Sequence, residues 1–353
     1  MDLTACVQFH GRWDLESEDR YSTSWSGSSL NFQTTSRYVD IELGELTASR
    51  KNYHNILWQF GSQSLVRTLP VKGKRSLKIT PSDQVEPDYT GDDLREVTIM
   101  LCDWGATLQI LSISSADGQP ITIKPSQGST WPMLFIGASL VSGYSPPFRG
   151  LVLPYGTYQA FGSVLVRILR SHGVDARLEM VAYPGLPLTS GCYDSDGMVD
   201  IFWKGMNDRG GWESRSRDNP HDIFLCLGAN DHGLYVEKDE FLKTYRNFLN
   251  RLKDSYPKGL KRIHVISPFG FFTDPTKPKK RKTIFEPEVQ FMINELSEEW
   301  KNTRGPRLFH ISTEGWIDKT LTCDGLHPTT EGHEVIGSKL VDYIASLDLE
   351  ETD

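Results

Sequence analysis

The chain lacks an excess of positive charge and any long apolar run, and each absence excludes a class of protein. Its 353 residues include 38 Lys and Arg against 46 Asp and Glu, so the formal net charge is −8. An acidic chain lacks the basic footprint that bulk nucleic-acid binding requires. Its apolar runs are far shorter than the roughly 18 residues of a membrane-spanning helix. We therefore expect neither a nucleic acid nor a membrane as partner, while the oligomeric state stays open.

Cysteine is also scarce, and its spacing excludes a disulfide framework or a zinc site. The chain has five cysteines and no C-x-x-C pair. An odd number of widely spaced cysteines is typical of reduced intracellular thiols. The sequence contains no N-x-S/T glycosylation acceptor, and its start, MDLTACVQFHGRWD, lacks the basic segment and apolar core of a secretory signal. We expect an intracellular, cytoplasmic protein.

The residues that are present predict two domains of different architecture. Apolar residues make up 38% of the chain and charged residues 24%, an ordinary globular composition. Up to residue 128 the chain consists of short alternating runs, such as Val39, Ile41 and Leu43 in YVDIELGEL, separated by turn residues. Similar runs occur in REVTIML and ATLQILSI, and no convincing helix appears. This pattern predicts an all-β sandwich over residues 1–128.

From residue 129 the pattern changes to alternating buried strands and amphipathic helices. Five short apolar runs have the character of buried strands: MLFIGAS, LEMVAYPG, IFLCLGAND, RIHVISP and RLFHIS. Between them lie helical patterns, such as the apolar stripe that begins at Phe241 and a long helix around 285–302. This alternation predicts a parallel sheet covered by helices on both faces over residues 129–353. Ligands of such sheets bind beyond the carboxyl ends of the strands.

Three short segments, which lie after strands or before a helix of this sheet, carry candidate catalytic groups. Ser139 follows the first strand, and a serine there can be a nucleophile if a base reaches it. Asn230 closes the third strand in GAND, and its amide can donate to a developing oxyanion. Asp324 and His327 lie three residues apart in DGLHP, so one tight turn can bring the carboxylate to the imidazole.

Each segment alone has an ordinary structural interpretation. Small residues after a strand, a Gly-Asn-Asp sequence and an Asp-Gly pair all occur in plain turns. His327 alone is compatible with a surface histidine beside the helix start at Pro328. Together, however, the segments supply a nucleophile, an oxyanion donor, a base and its orienting carboxylate at one edge of one sheet. This joint occurrence favours catalysis.

These segments resemble the sequence blocks of the SGNH (GDSL-type) hydrolases. GASLVSGY is similar to the G-D-S-L-x-x-G block, GAND to the G-x-N-D block and DGLHP to the D-x-x-H block. The resemblance covers roughly residues 129–350 and implies a flavodoxin-like, three-layer α/β/α domain with a parallel sheet. It also implies Ser139 as nucleophile, His327 as base and Asp324 as the residue that orients it. No cofactor is implied.

The family's oxyanion hole implies further donors, and one position departs from the family pattern. The resemblance implies donors from the Ser139 and Gly185 backbone N–H groups and from the Asn230 amide, with Gly191 as the fallback for Gly185. Ala138 stands where the pattern has Asp, which affects the bonding of the local loop more than catalysis.

The first half resembles the N-terminal jelly-roll of carbohydrate esterase family 2, whose members are two-domain SGNH deacetylases. HGRW at 10–13 and SWSGS at 24–28, followed by an alternating run, carry this looser similarity. It implies a β-sandwich (jelly-roll) domain ahead of the catalytic domain.

Five other features have both a functional and a structural interpretation. Trp316 forms a wall of the substrate site or packs in the core, and His232 lines the pocket or is solvated. The basic run of residues 277–282 (KPKKRK) is a nuclear-localisation signal, a contact for an anionic partner or a solvated loop. Trp25 is expected to pack rather than to bind a sugar. His333 lies near His327 in sequence, but no third ligand of suitable spacing accompanies them, so no metal site is expected.

We therefore expect a serine esterase that hydrolyses short-chain esters, such as acetyl esters, of a sugar or small metabolite. An acyltransferase that uses the same residues with an alcohol acceptor is the alternative. A catalytically silent module that binds a carbohydrate or protein is a third hypothesis, and the intact set of Ser, Asn, Asp and His argues against it.

Overall fold

The computed structural model describes most of the chain, and it divides into two compact units. The described residues are 3–17, 20–47, 56–68, 75–80, 93–115, 117–123, 129–144, 153–206, 209–214, 219–274, 276–301 and 305–350. The first unit comprises Met1–Gln127 together with Lys204–Ser216, and the second comprises Gly128–Trp203 and Arg217–Asp353. The first boundary lies beside the expected one at residue 128. The assignment of Lys204–Ser216 to the first unit differs from the single interval 129–353 that the sequence suggested.

The first unit is built from two antiparallel sheets. In chain order its described strands are β1 Gln8–His10, β2 Asp14–Ser17, β3 Arg20–Thr23, β4 Ser29–Thr34, β5 Val39–Leu43, β6 Ile56–Phe60, β7 Val66–Thr68, β8 Ser76–Ile79, β9 Arg95–Leu101, β10 Leu108–Ser115 and β11 Ile121–Thr122. One sheet has the order β1-β4-β9-β6-β7 with β11 beside β4, and the other has the order β2-β3-β10-β5-β8. The predicted sandwich is confirmed.

The alternating runs of the sequence form the core between these sheets. Val39, Ile41 and Leu43 of β5 are buried, whereas the residues between them are more exposed. In β10 the apolar spacing slips from two to three, because a bulge shifts the register between Ile110 and Ser112. A bulge adds one residue to one strand, so Ile113 still points into the core.

The segment Lys204–Ser216 completes this unit by covering Trp25. Its described strands are β14 Gly205–Met206 and β15 Arg209–Gly210. The Trp25 indole, 1% exposed, donates a hydrogen bond of 2.6 Å to the Gly210 carbonyl, and Gly210 N–H donates to Asp14 Oδ2 at 2.8 Å. The expectation that Trp25 packs is in keeping with this burial.

The second unit has a five-stranded parallel sheet, and its strands coincide with the five apolar runs of the sequence: β12 Thr130–Gly137, β13 Asp175–Ala182, β16 Asp222–Cys226, β17 Arg262–Ile266 and β18 Arg307–Ile311. Their order in the sheet is β13-β12-β16-β17-β18. The chain first adds β13 on one side of β12 and then crosses to β16 on the other. The carboxyl ends of β12 and β16 therefore lie at a topological switch point, where ligands of doubly wound sheets bind.

Helices cover both faces of this sheet, as the alternation predicted. The described helices are α1 Ser139–Ser142, α2 Phe161–Ser171, α3 Met198–Lys204, α4 Ala229–Gly233, α5 Lys238–Ser255, α6 Glu286–Lys301 and α7 Thr330–Glu350. On one face α2 and α7 pack with each other and with Met133 and Phe135 of β12. Leu134 and Ile136 alternate with these residues and point to the face where α5 and α6 contact each other. The described part of the chain contains no helix with the length and apolar character of a membrane span.

Candidate active site

Ser139 lies in the tight turn between β12 and α1. A Cβ atom added to Gly137 would come within 2.2 Å of Val141 Cγ2 and 2.9 Å of the Cys226 carbonyl oxygen. Only glycine therefore fits at the end of the strand, and α1 begins two residues later with Ser139. Ala138 supplies no side-chain cap to α1, so its departure from the family pattern leaves this helix start without that bond.

The structure brings Ser139, His327 and Asp324 into one chain of hydrogen bonds. His327 Nε2 is 3.0 Å from Ser139 Oγ, and His327 Nδ1 is 2.7 Å from Asp324 Oδ2. The side chain of His327 is 14% exposed and that of Asp324 23%. An imidazole that donates its Nδ1–H to the carboxylate keeps Nε2 available to accept the serine proton.

Asp324 stays ionised because its hydrogen bonds outweigh its burial. Burial acts to raise its pKa, but hydrogen bonds from the His327 side chain and backbone N–H lower the pKa to about 2. Oδ1 accepts the backbone N–H groups of Leu326 at 3.0 Å and His327 at 2.8 Å. The carboxylate therefore holds its own loop and the imidazole at once.

A backbone contact fixes the turn between Asp324 and His327. Gly325 has a φ of +89°, and a Cβ atom there would lie 2.7 Å from the Phe272 carbonyl oxygen. The Phe272 N–H donates to the Gly325 carbonyl at 2.8 Å. Gly325 thus permits the loop after β17 to approach the histidine loop closely.

Asn230 and Asp231 hold the loop that follows β13. Asn230 Nδ2 donates to the Leu186 carbonyl at 2.9 Å. The Asp231 carboxylate, fully buried, accepts the backbone N–H groups of Leu188 and Thr189, each at 2.9 Å. Burial raises the pKa of Asp231 against the effect of these bonds. Asp231 is not among the site residues that the sequence predicts, although its place beside Asn230 in GAND is a signal that marks it.

The same contacts distinguish the two candidate glycines. Gly185 directly precedes Leu186, so the Asn230 bond brings its stretch of backbone beside the asparagine. Gly191 already donates its N–H to the Ser195 carbonyl at 2.9 Å. An N–H bound within its own loop is a poor donor for a substrate oxygen, and Gly185 remains the better candidate.

Trp316 and His232 lie at the margins of these elements. Trp316 is partly buried and packs against the core cluster that also contacts Leu326. The ring of His232 in α4 contacts Phe271 and Phe285, with centroids 5.8 and 5.7 Å away. The structure shows a packing contact for each side chain, and a role in substrate binding remains a hypothesis.

Two residues near His327 were not assigned a role from the sequence. The Tyr144 ring meets the His327 ring edge-on, with centroids 5.1 Å apart. His333, fully buried, accepts the Phe161 N–H at its Nδ1. Burial and the charge of His327 lower its pKa to about 3, so His333 is neutral. Among the described residues no group of His, Cys, Asp and Glu could hold a metal ion.

The sequence matches one family model over more than half of its length. The model of the GDSL-like lipase/acylhydrolase family matches residues 135–335, which include Ser139, Asn230, Asp324 and His327. No curated protein matches the chain significantly.

Solved structures share the fold of both units at low sequence identity. A family two carbohydrate esterase from Cellvibrio japonicus has a TM-score of 0.71 and 16% identity, covering 97% of this chain and 95% of its own. An acetyl xylan esterase from the rumen bacterium Butyrivibrio proteoclasticus has a TM-score of 0.71 and 13% identity, covering 97% and 96%. A salicylyl-acyltransferase from a tetracycline biosynthetic pathway has a TM-score of 0.63 and 11% identity, covering 97% and 95%. The fold expected from the sequence resemblance is confirmed.

Proposed function

The chain belongs to the GDSL-like lipase/acylhydrolase family and is a serine ester hydrolase, and we propose that it removes short acyl groups, such as acetyl, from a sugar or small metabolite. The observation that carries the assignment of its catalytic residues is the hydrogen-bond chain from Asp324 through His327 to Ser139. The structurally similar acetyl xylan esterase supports the choice of acetyl and of a sugar.

In the proposed mechanism Ser139 Oγ attacks the acyl carbonyl while His327 Nε2 takes its proton. The Ser139 and Gly185 N–H groups and the Asn230 amide stabilise the oxyanion. His327 then protonates the departing alcohol, and the acyl group remains on Ser139. Water, deprotonated by His327, releases the acid. Asp324 stabilises the imidazolium at each step and keeps its own charge.

The test is hydrolysis of p-nitrophenyl esters from acetyl to octanoyl by the wild type and by Ser139→Ala. We expect the wild type to cleave the short esters and the variant to lose at least about 10³-fold in kcat. Ser142→Ala is the matched control, because Ser142 lies in the same short helix. Wild type that cleaves no ester, or Ser139→Ala with full activity, would contradict the proposal.

An acyltransferase is the second candidate, because the salicylyl-acyltransferase shares the fold of the chain. Such an enzyme would pass the acyl group from Ser139 to an alcohol in place of water. Analysis of the products in the presence of added alcohols separates the two: free acid indicates hydrolysis and a new ester indicates transfer.

A further inference from the structure

The basic run lies in a folded hairpin rather than in an open loop. Phe271 and Lys282 form an antiparallel bridge, with backbone hydrogen bonds of 3.0 and 2.9 Å in the two directions. Residue 275 lies outside the described part of this hairpin. The side chains of Lys277, Lys279, Lys280 and Lys282 are exposed. We call these four residues the hairpin lysines.

The fifth cation of the run, Arg281, anchors the hairpin to neighbouring elements of the second unit. Its guanidinium donates to Thr313 Oγ1 at 2.9 Å and to Glu286 Oε2 at 2.7 Å. The Arg281 and Glu286 side chains are only 9% and 11% exposed. The buried hydrogen bond to the Glu286 carboxylate fixes the position of Arg281. The hairpin that carries the four lysines is therefore held in a defined position. Recognition of the run as an extended peptide would require this arginine and the Phe271–Lys282 bridge to be released.

The hairpin touches the two elements that carry the candidate catalytic groups. On one side Phe272 N–H donates to Gly325, in the loop between Asp324 and His327. On the other side the Phe271 ring contacts His232, which lies in α4 two residues from Asn230. Partial burial and the charge of Lys282 together lower the pKa of His232. The positive charge of Lys282 therefore acts on α4, the helix that carries Asn230, the candidate oxyanion donor.

The hairpin lysines give their surroundings a local charge opposite in sign to the net charge of the chain. The carboxylates described at this surface include Asp274 in the hairpin and Asp318 beside it, while Glu286 is paired with Arg281. The pKa of Asp318 is lowered by hydrogen bonds from Thr320 and also by the charge of Lys279. The cluster remains positive on a chain of net charge −8. A local patch of opposite sign beside a site raises the concentration of oppositely charged ligands there.

We propose that the hairpin lysines attract and bind an anionic group, a carboxylate or phosphate, on the ester substrate. The inference rests on the proposed esterase function and narrows its substrate class. The acyl carbonyl would lie at Ser139 while the anionic group of the alcohol part faces the hairpin. The lysines would act on substrate capture, so removing them should lower kcat/KM for anionic esters.

The experiment compares matched acetate esters that differ in charge. The probes are 4-acetoxybenzoate and 4-acetoxyphenyl phosphate as anions and 4-acetoxybenzamide as the neutral partner. The quantity measured is the ratio of kcat/KM for an anionic ester to that for the neutral one. We expect the variant with all four hairpin lysines changed to Gln to lower this ratio about 10-fold at low salt. In the wild type the ratio should fall as ionic strength rises.

The control removes the same number of exposed lysines elsewhere on the second unit. It changes Lys243, Lys258, Lys261 and Lys339 to Gln, and it should keep the ratio of the wild type. A larger effect on the carboxylate or on the phosphate ester identifies the preferred anion. An equal ratio in the wild type and both variants, independent of salt, overturns the inference. Wild type that hydrolyses none of the three esters contradicts the esterase proposal itself.

Discussion

At the scale of single residues, Asp324 carries the electrostatic part of the proposed mechanism. Its carboxylate accepts hydrogen bonds from the His327 ring and from two backbone N–H groups. The ring orientation and the tautomer of His327 therefore depend on one side chain. A base in the wrong tautomer cannot take the serine proton.

We expect Asp324→Asn to lower kcat by about 10³–10⁴-fold, because the amide favours the other imidazole tautomer. Since the pKa of Asp324 is about 2, the carboxylate is ionised at every assay pH above about 4, so a large loss should remain down to pH 5. The measurement is the pH profile of kcat for the wild type and the variant. A loss that vanishes at pH 5 would show that Asp324 is protonated in the active enzyme.

The sequence predicts the candidate catalytic residues because each of them lies in a pattern of neighbouring residues. Asp324 and His327 are three residues apart, and Ser139 and Asn230 each follow an apolar run. Asp231 was missed because its partners, the Leu188 and Thr189 N–H groups, lie more than 40 residues away in the chain. Such a contact depends on the tertiary fold and leaves no local signal.

At the level of the strands, a buried ionic network joins three parallel strands near their amino ends, whereas Ser139 follows the carboxyl end of β12. Asp222 of β16 accepts Arg262 Nε at 2.6 Å and His264 Nε2 at 2.9 Å from β17, and also the Trp131 indole N–H from β12. His264 Nδ1 lies 3.2 Å from the Tyr343 hydroxyl of α7. Burial acts to raise the pKa of Asp222, but the hydrogen bonds from His221, His264 and Arg262 hold it well below its usual range.

We expect Asp222→Asn to reduce the free energy of unfolding by about 3–5 kcal/mol, because it removes the buried negative charge that Arg262 and His264 share. Activity per folded molecule should not change, since the network lies at the amino ends of the strands. Urea unfolding measures the effect. The matched control is Glu295→Gln, which breaks an exposed pair with Arg246 and should cost no more than about 1 kcal/mol. Equal costs for the two variants would contradict this account.

At the scale of the whole molecule, the alternation of strands and helices was predictable, but the path of the chain between the units was not. The five parallel strands follow directly from apolar runs, because a buried parallel strand needs apolar residues on both faces. The segment Lys204–Ser216 contains no such run, and its place in the first unit depends on Trp25 and Asp14. Those contacts span nearly 200 residues and have no counterpart in local periodicity.

We expect removal of residues 1–128 to make the segment Lys204–Ser216 sensitive to trypsin at the Arg209–Gly210 bond. In the full chain both backbone groups of Gly210 are hydrogen-bonded, to Asp14 and Trp25. Limited proteolysis with mass mapping compares the full chain with a fragment of residues 129–353. Cleavage at that bond at the same rate in both proteins would show that the first unit does not protect the segment.

Covalent labelling of the nucleophile shows directly whether Ser139 attacks the ester. A fluorophosphonate should label the wild type on Ser139, as peptide mapping by mass spectrometry would show, and His327→Ala should label far more slowly, because the hydroxyl then lacks its base. Brief incubation with an acetyl ester should leave one acetyl group on the same residue. A label on another residue, or none while ester hydrolysis continues, would contradict the account of Ser139 as the nucleophile.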